Sequence, residues 1–355
     1  MEGKIDFNDA ETDIASLGAG GTARLEERRG GVAQRIEVAA RGDQLERRYF
    51  VNEHEQPYDD KARALMATAV KELVRTGINA EARVKRIHAR GGAKAVLDEI
   101  DEIHSDYVRG LYLGVLAGLG RLGPSDLDHA LNLAGGMQSD YERRQAMTAL
   151  FDKQSLDAPR QVTFLQHATR FSGDYERAEL LVGVVPRLAD DAAVRQAWLE
   201  AALGVRSDYE RRRTFEAMLS LGGLDDAQLG RVVEASASMK SDYEHRELLA
   251  AAAQRLHDVD AVAPAYIRSA QSIHSDYEHR EALLALIHAG KLGVKGADAV
   301  LDSAAQIKAG YECREVLVAL ARVMPSDTAL LAHYRAVSAR LPDYERGEAD
   351  RALAQ

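Results

Sequence analysis

The sequence holds a single cysteine, Cys313, so no disulfide can close within the chain and cysteine usage says nothing about redox compartment. No apolar run approaches the ~20 residues of a membrane-spanning helix. The opening residues, MEGKIDFND, carry no signal-peptide core, and the chain as given is expected to be soluble. Positive charge is also in deficit: 46 Lys and Arg stand against 56 Asp and Glu, a formal net charge of −10. Residues 1–100 are nearly balanced, with 17 basic and 18 acidic side chains, so about −9 of that charge falls on residues 101–355. Non-specific nucleic-acid binding needs Lys and Arg to displace counterions from phosphates, and no nucleic-acid partner is expected. With 46 % hydrophobic residues in 355, the chain has enough apolar content for an extended array plus a smaller domain.

Motifs of catalysis and cofactor binding are scarce too. His274 to His279 spells H-x-x-x-E-H, neither H-E-x-x-H nor H-x-x-E-H, and a helix start falls inside it. GAGG at 18–21 lacks the Lys-Ser/Thr of a phosphate-binding loop and reads as a turn. His245, His279 and Cys313 recur at one position of successive repeats, but stacked helices stand about 8–10 Å apart and zinc ligands about 2.0–2.3 Å from the metal. These three read as first-turn helix residues. No catalytic residue, cofactor or metal is expected.

What is present is a repeat. Tyr107, Tyr141, Tyr175, Tyr209, Tyr243, Tyr277, Tyr311 and Tyr344 follow one another at steps of 34 residues, six times, and then 33. Such a period marks a solenoid or array. Ser139, Ser207, Ser241 and Ser275 lie three residues before Glu142, Glu210, Glu244 and Glu278, the spacing of a capping box, so a helix is predicted to start at each serine. Its continuation (248–253, 282–287, 316–321) is apolar almost all round and is predicted to be buried on more than one side. The preceding helix of each unit is amphipathic, with Leu127, Ala130, Leu131 and Ala134, or Leu229, Val232, Val233 and Ser236, on one stripe. Breakers such as LGPSD (122–126), LGGLDD (221–226) and GVKGAD (293–298) separate the helices. Gly173 replaces the cap serine in one unit, and the last two units lose it, as terminal repeats often do.

Residues 1–57 differ. TARLEERR (22–29), VAQRIEVAA (32–40) and QLERRYFV (44–51) mix β-branched or aromatic residues with charges, separated by Gly30-Gly31 and Gly42-Asp43, and predict a small antiparallel sheet with KIDF (4–7) as its first strand. Residues 58–91 read as two helices, a connector or N-terminal cap on which the sheet packs, and 92–355 as the array. The fold class expected is mostly α: a right-handed, HEAT-like α-solenoid of about eight helical hairpins with a small N-terminal antiparallel β-sheet.

The stretches DIASLGAGGTARLEERRGG, RRYFVNEHEQPYD and TGINAEARVKRIHARGGAKAVLDEI, running into SDYVRGLYL, resemble the extracytoplasmic module of bacterial β-lactam-sensor-like membrane metallopeptidases and anti-sigma-factor-like proteins. The SDYE units themselves resemble HEAT-like α-solenoids. The resemblance implies a non-catalytic sensory or scaffolding ectodomain. The chain lacks both an anchor and a peptidase motif, so it is either a free-standing relative or part of a longer, membrane-anchored regulator, and a periplasmic location follows if the resemblance holds, a cytoplasmic one otherwise.

The candidate site is the ladder formed by Tyr141, Tyr209, Tyr243, Tyr277 and Tyr311 with Arg144, Arg212, Arg246, Arg280 and Arg314 three residues after them. On a structural reading, each Arg pairs with an Asp or Glu of the next unit while the Tyr ring packs across the joint. On a functional reading, the two rows line a groove for an extended peptide, since aromatic and Arg residues dominate binding hot spots. The function expected is a non-enzymatic protein- or peptide-interaction module. Small-ligand or glycan sensing, with a pocket at the N-terminal sheet and first repeats, is the second class. An enzyme resembling the HEAT-like DNA glycosylases is the third, and those need a basic groove.

Overall fold

Gly30 and Gly31 sit at φ 57° and 81°, the left-handed pair that a two-residue hairpin turn requires. They join β3 (Thr22–Arg29) to β4 (Val32–Arg41) in the computed structural model, which describes residues 5–354. β5 (Gln44–Val51) and β6 (His54–Gln56) complete a four-stranded antiparallel sheet in the order β3-β4-β5-β6. The first strand differs from expectation. β1 (Ile5–Phe7) does not join this sheet but pairs with β2 (Ile14–Leu17) as a separate two-stranded ribbon, and Lys4 of KIDF lies outside the described residues.

The chain forms two compact units, Met1–Ser155 and Leu156–Gln355. In the first, alternate residues of the sheet, Ala23, Leu25, Ile36, Val38 and Tyr49, bury themselves against Ala62, Met66, Val70 and Val74 of α1 (Asp60–Val74). A sheet this small cannot close a core alone, and the helix supplies the missing layer. α2 (Ala80–Asp101) is broken at Gly92, whose φ of 69° with ψ of −166° is a combination open essentially to glycine alone. α3 (Asp106–Gly118), α4 (Pro124–Gly135) and α5 (Asp140–Lys153) follow, and α4 buries the predicted stripe of Leu127, Ala130, Leu131 and Ala134.

The second unit holds α6 (Ala158–Ala168), α7 (Asp174–Val184), α8 (Ala192–Leu203), α9 (Asp208–Leu221), α10 (Asp226–Ser236), α11 (Asp242–Ala253), α12 (Val259–Ala270), α13 (Asp276–Ala289), α14 (Val294–Ala304), α15 (Gly310–Ala321), α16 (Thr328–Ser338) and α17 (Asp343–Leu353). Even helices pack on even and odd on odd from one pair to the next, and each even helix also packs on the odd helix after it, the two-layered stack of a helical solenoid. The odd helices are buried on two sides. In α11, Leu248, Leu249, Ala252 and Ala253 are buried while Ala250 and Ala251 are half-buried. Trp198 of α8 is fully buried, with its indole N–H donating to Leu181 O at 3.3 Å and its ring edge-on to Phe215.

The helix starts lie where the serines predict, but the capping box is only half formed at Ser139, Ser241 and Ser275, and Ser207 makes no side-chain cap bond. Ser241 Oγ accepts from Glu244 N at 3.4 Å, whereas the Glu244 carboxylate turns away to Arg212 of the preceding helix pair. The backbone N–H it leaves, that of Ser241, donates instead to Asp208 Oδ2 at 2.8 Å. The same substitution of a neighbour's Asp for the local Glu recurs at Ser275, held by Asp242. With a cap bond this long, Ser241→Ala is expected to cost about 0.5–1 kcal/mol, the low end for lost caps, measured as a shift of the urea midpoint. A loss well above this would mean that the hydroxyl has a further role.

Candidate functional site

Eight tyrosines at the second position of the odd helices from α3 to α17 keep 51–67 % of their surface open. Their exposure follows from the repeat: a residue in the first turn stands at the rim of the stack, beyond the buried a- and d-like positions. On five helices an Arg one turn later lies over the ring. The guanidinium carbon stands 5.6 Å from the ring centroid for Arg144 on Tyr141 and Arg212 on Tyr209, 5.2 Å for Arg246 on Tyr243, 4.6 Å for Arg280 on Tyr277 and 4.5 Å for Arg314 on Tyr311. This is cation–π geometry within one helix. The rings take their partners from their own unit and leave the rest of their faces to solvent.

Three of these arginines also reach forward to the next helix pair. In the second unit Arg212 binds Glu244, Arg246 binds Glu278 at 2.7 Å and Arg280 binds Glu312, while Glu216, Glu247, Glu281 and Glu315 hold the same four cations, Arg314 included, from their own helices. Four guanidinium groups thus meet seven carboxylates. The expected pairing of Arg with a carboxylate of the next unit is present, but through Glu alone. The repeat Asp serves another purpose: Asp106, Asp174, Asp208 and Asp242 each accept from the two backbone N–H groups that precede the next odd helix. In the even row, Asp226 accepts likewise from His257 N and Asp258 N at 2.9 Å, and Asp260 from Gly293 N at 3.0 Å.

Two residues after six of the eight tyrosines lies a buried polar or sulfur-bearing side chain, a recurrence legible from the sequence only in part, as His245, His279 and Cys313. Its earlier members are Arg143, Arg177 and Arg211, which donate to the carbonyls of Met137, Phe171 and Val205 in the loop before their own helix. The recurrence of Arg at one position was the available signal. Gly204 makes room for this arrangement, because a Cβ there would stand 1.9 Å from Arg177 Nη1. His245 Nε2 shares a hydrogen bond of 2.8 Å with Ser269 Oγ, and His279 Nε2 one of 2.8 Å with Ser303 Oγ. His274 is exposed while His279 is buried, so H-x-x-x-E-H is split between surface and core. Among the described residues no three His, Cys, Asp or Glu side chains are grouped to hold a metal ion, and no helix is long and apolar enough to cross a membrane.

Burial pushes His245 down to about 4 from an ordinary value of 6.5, with Asp242 and Asp208 opposing. The folded chain therefore holds it neutral, and below pH 6.5 the unfolded chain binds the extra proton. Stability is expected to fall between pH 6.5 and 4, and His245→Gln is expected to flatten part of that slope in denaturant titrations. An unaltered slope would place the acid sensitivity elsewhere.

In the first unit the row changes character. Tyr107 and Tyr141 flank an open groove of about 680 Å³ floored by Gly110, Gly114 and Gly118 of α3 and walled by Leu111, Val115 and Ala149, with Glu142 and Lys153 at its margins. The glycines lie one helical turn apart, so this face of α3 presents backbone where other units carry side chains. Lys153 Nζ donates to Gly114 O at 3.1 Å. The G-x-x-x-G-x-x-x-G spacing at 110–118 was legible in the sequence but hidden by the departure it makes from the repeat. No protein-family model and no curated protein matches the chain.

Proposed function

We propose that the chain is a non-enzymatic protein-interaction module that takes an extended segment of a partner protein along its tyrosine and arginine rows. One observation carries the reading: large aromatic rings recur at a fixed step on alternate helices, half-exposed, and five of the eight are held in place by an Arg on their own helix. Rings fixed before binding lose little entropy on contact, and Tyr and Arg dominate the hot spots of interfaces. The saturation of the ladder arginines with carboxylates supports a protein over a nucleic acid, because phosphates would have to displace seven glutamates. A sensory or scaffolding role, as in the extracytoplasmic modules that the N-terminal segment resembles, belongs to the same proposal.

Affinity capture with the intact chain beside Tyr243→Ala/Tyr277→Ala tests it. Both tyrosines are surface groups, so the variant is expected to keep its unfolding midpoint and to lose at least tenfold in retention of the partner. Equal retention by the two baits would sink the tyrosine rows as the site. A second reading, small-ligand sensing, draws support from the groove of about 680 Å³ in the first unit, a volume within the ~300–1,000 Å³ of ligand pockets. A thermal shift with low-molecular-weight ligands that Gly114→Leu abolishes would favour it.

A further inference from the structure

At Gly110 the ladder lacks a rung. In the second unit an Arg three residues after the tyrosine stacks on that ring and binds the Glu of the following helix pair, three times over: Arg212 with Glu244, Arg246 with Glu278, Arg280 with Glu312. The first repeat has glycine at that position, and among the described residues Glu142, the counterpart of Glu244, has no ion-pair partner. A Cβ on Gly110 would stand 3.3 Å from Glu142 Oε2, so the carboxylate borders the vacated place. Ala178 interrupts the ladder in the same way, but there Arg213 of the same helix neutralises Glu210 at 2.7 Å. The residue matching Arg213 beside Glu142 is Gln145, which is uncharged and donates to the Tyr141 hydroxyl. Among the described residues the gap at Gly110 is left open, and it opens on the groove of about 680 Å³ between Tyr107 and Tyr141.

The cations of the groove do not fill it. Lys85 is paired with Glu81 at 2.5 Å, and Lys153 Nζ donates to Gly114 O at 3.1 Å and lies 3.5 Å from where a Cβ on Gly118 would be, about 6–12 Å along the helix from Gly110 at 1.5 Å per residue. The Gly110 end is therefore negative and aromatic, and the far end positive. We infer that this groove binds an arginine side chain of a partner protein, whose guanidinium takes the missing rung on Glu142 beside the Tyr107 ring. Arg fits better than Lys because its planar fork both matches a carboxylate and stacks on an aromatic face, as the chain's own ladder does at Tyr209, Tyr243 and Tyr277. The inference rests on the protein-interaction reading and names the group recognised and its place.

The test uses the full chain and two probes, acetyl-Gly-Arg-Gly-amide and its citrulline counterpart, which keeps the shape without the charge. Amide NMR titration is expected to show saturable shifts at Gly110, Gly114 and Glu142 with the arginine probe, and at least tenfold weaker binding of the citrulline probe. Glu142→Gln is expected to weaken the arginine probe at least tenfold. Gly110→Arg, which puts the rung back, is expected to abolish binding and to raise the unfolding temperature. Equal binding of the two probes, no saturable shift at these amides, or undiminished binding by either variant would overturn the site. Tyr243 and Tyr277 lie outside the groove. Failure of the probe with intact partner capture therefore sinks this site alone, whereas probe binding with equal capture by the Tyr243→Ala/Tyr277→Ala bait sinks the tyrosine-row reading alone.

Discussion

Arg83→Ala is expected to destabilise the first unit by about 3–5 kcal/mol, the cost of breaking a buried ion pair from one side. Arg83 is 4 % exposed. Its Nε and Nη2 donate to the two oxygens of Glu11 at 2.8 Å each, and its Nη1 to Glu99 at 3.0 Å and to the Tyr112 hydroxyl at 2.8 Å. Removing it leaves Glu11 to Arg86 alone and Glu99 to Arg75 alone, and takes the donor from a fully buried phenol. Arg83→Lys is expected to recover only part of the loss, since one ammonium cannot span both carboxylates and the phenol. Guanidinium unfolding followed by circular dichroism measures both. The pH dependence gives an independent check. Burial raises the Glu11 carboxyl, but Arg83 and Arg86 outweigh it and hold the group below its ordinary 4.5. The stability from this pairing is therefore present above about pH 4.5 and lost as the pH falls below it. In Arg83→Ala that window should contribute less or reverse sign, and an unchanged midpoint with an unchanged acid limb would show that the pairing does not form.

Glu11 and Arg83 were not legible as partners, and the reason is general to this chain. Local rules work where one turn of backbone decides the outcome. Gly30-Gly31 and Gly42-Asp43 mark their hairpins, and the Leu229, Val232, Val233, Ser236 stripe marks the buried side of α10. The last hairpin was missed because Asn52 and Glu53, at φ 46° and 66°, adopt the left-handed turn without a glycine. β1 was assigned to the wrong sheet because three residues cannot specify a partner, and its pairing is helped by contacts far along the chain, such as Asn79 donating to Ile5 O.

The repeat conceals as much as it reveals. A residue that recurs every 34 positions suits an intra-unit bond and an inter-unit bond equally well, because both recur with the same period. Glu244 was read as the closing half of its own capping box, yet the Arg212 guanidinium, a stronger donor than a backbone amide, takes it. The tyrosine and arginine rows of the candidate site were plain in the sequence. The chemistry at Gly110 was not, because a missing side chain is informative only once the place of its counterpart is known.

The Asp of each repeat illustrates this most sharply, and Asp242→Ala is expected to cost about 2–4 kcal/mol. Read locally, Asp242 is a first-turn acid at the positive end of α11, worth about 0.3–1 kcal/mol. In the structure its Oδ1 accepts from His274 N at 3.1 Å and its Oδ2 from Ser275 N at 2.8 Å, the two amides that lead into α13. Hydrogen bonds to a charged group contribute about 1.5–3 kcal/mol each, and the 25 % exposure of the carboxylate trims the pair. Ala removes the acceptor and leaves an N-cap amide that its own Glu278 cannot rescue, since Glu278 is bound to Arg246. Asp242→Asn keeps one acceptor oxygen and is expected to lose only about 1 kcal/mol of charge-assisted strength. In a solenoid, stability is a sum of unit and nearest-neighbour terms, and this pair of bonds belongs to the neighbour term. Asp242→Ala should therefore also reduce cooperativity, seen as a lower m-value and as faster amide exchange at Ser275 than at Ser241, whose clamp on Asp208 is intact. A loss below 1 kcal/mol with unchanged exchange at Ser275 would return the aspartate to the role of a helix-dipole charge.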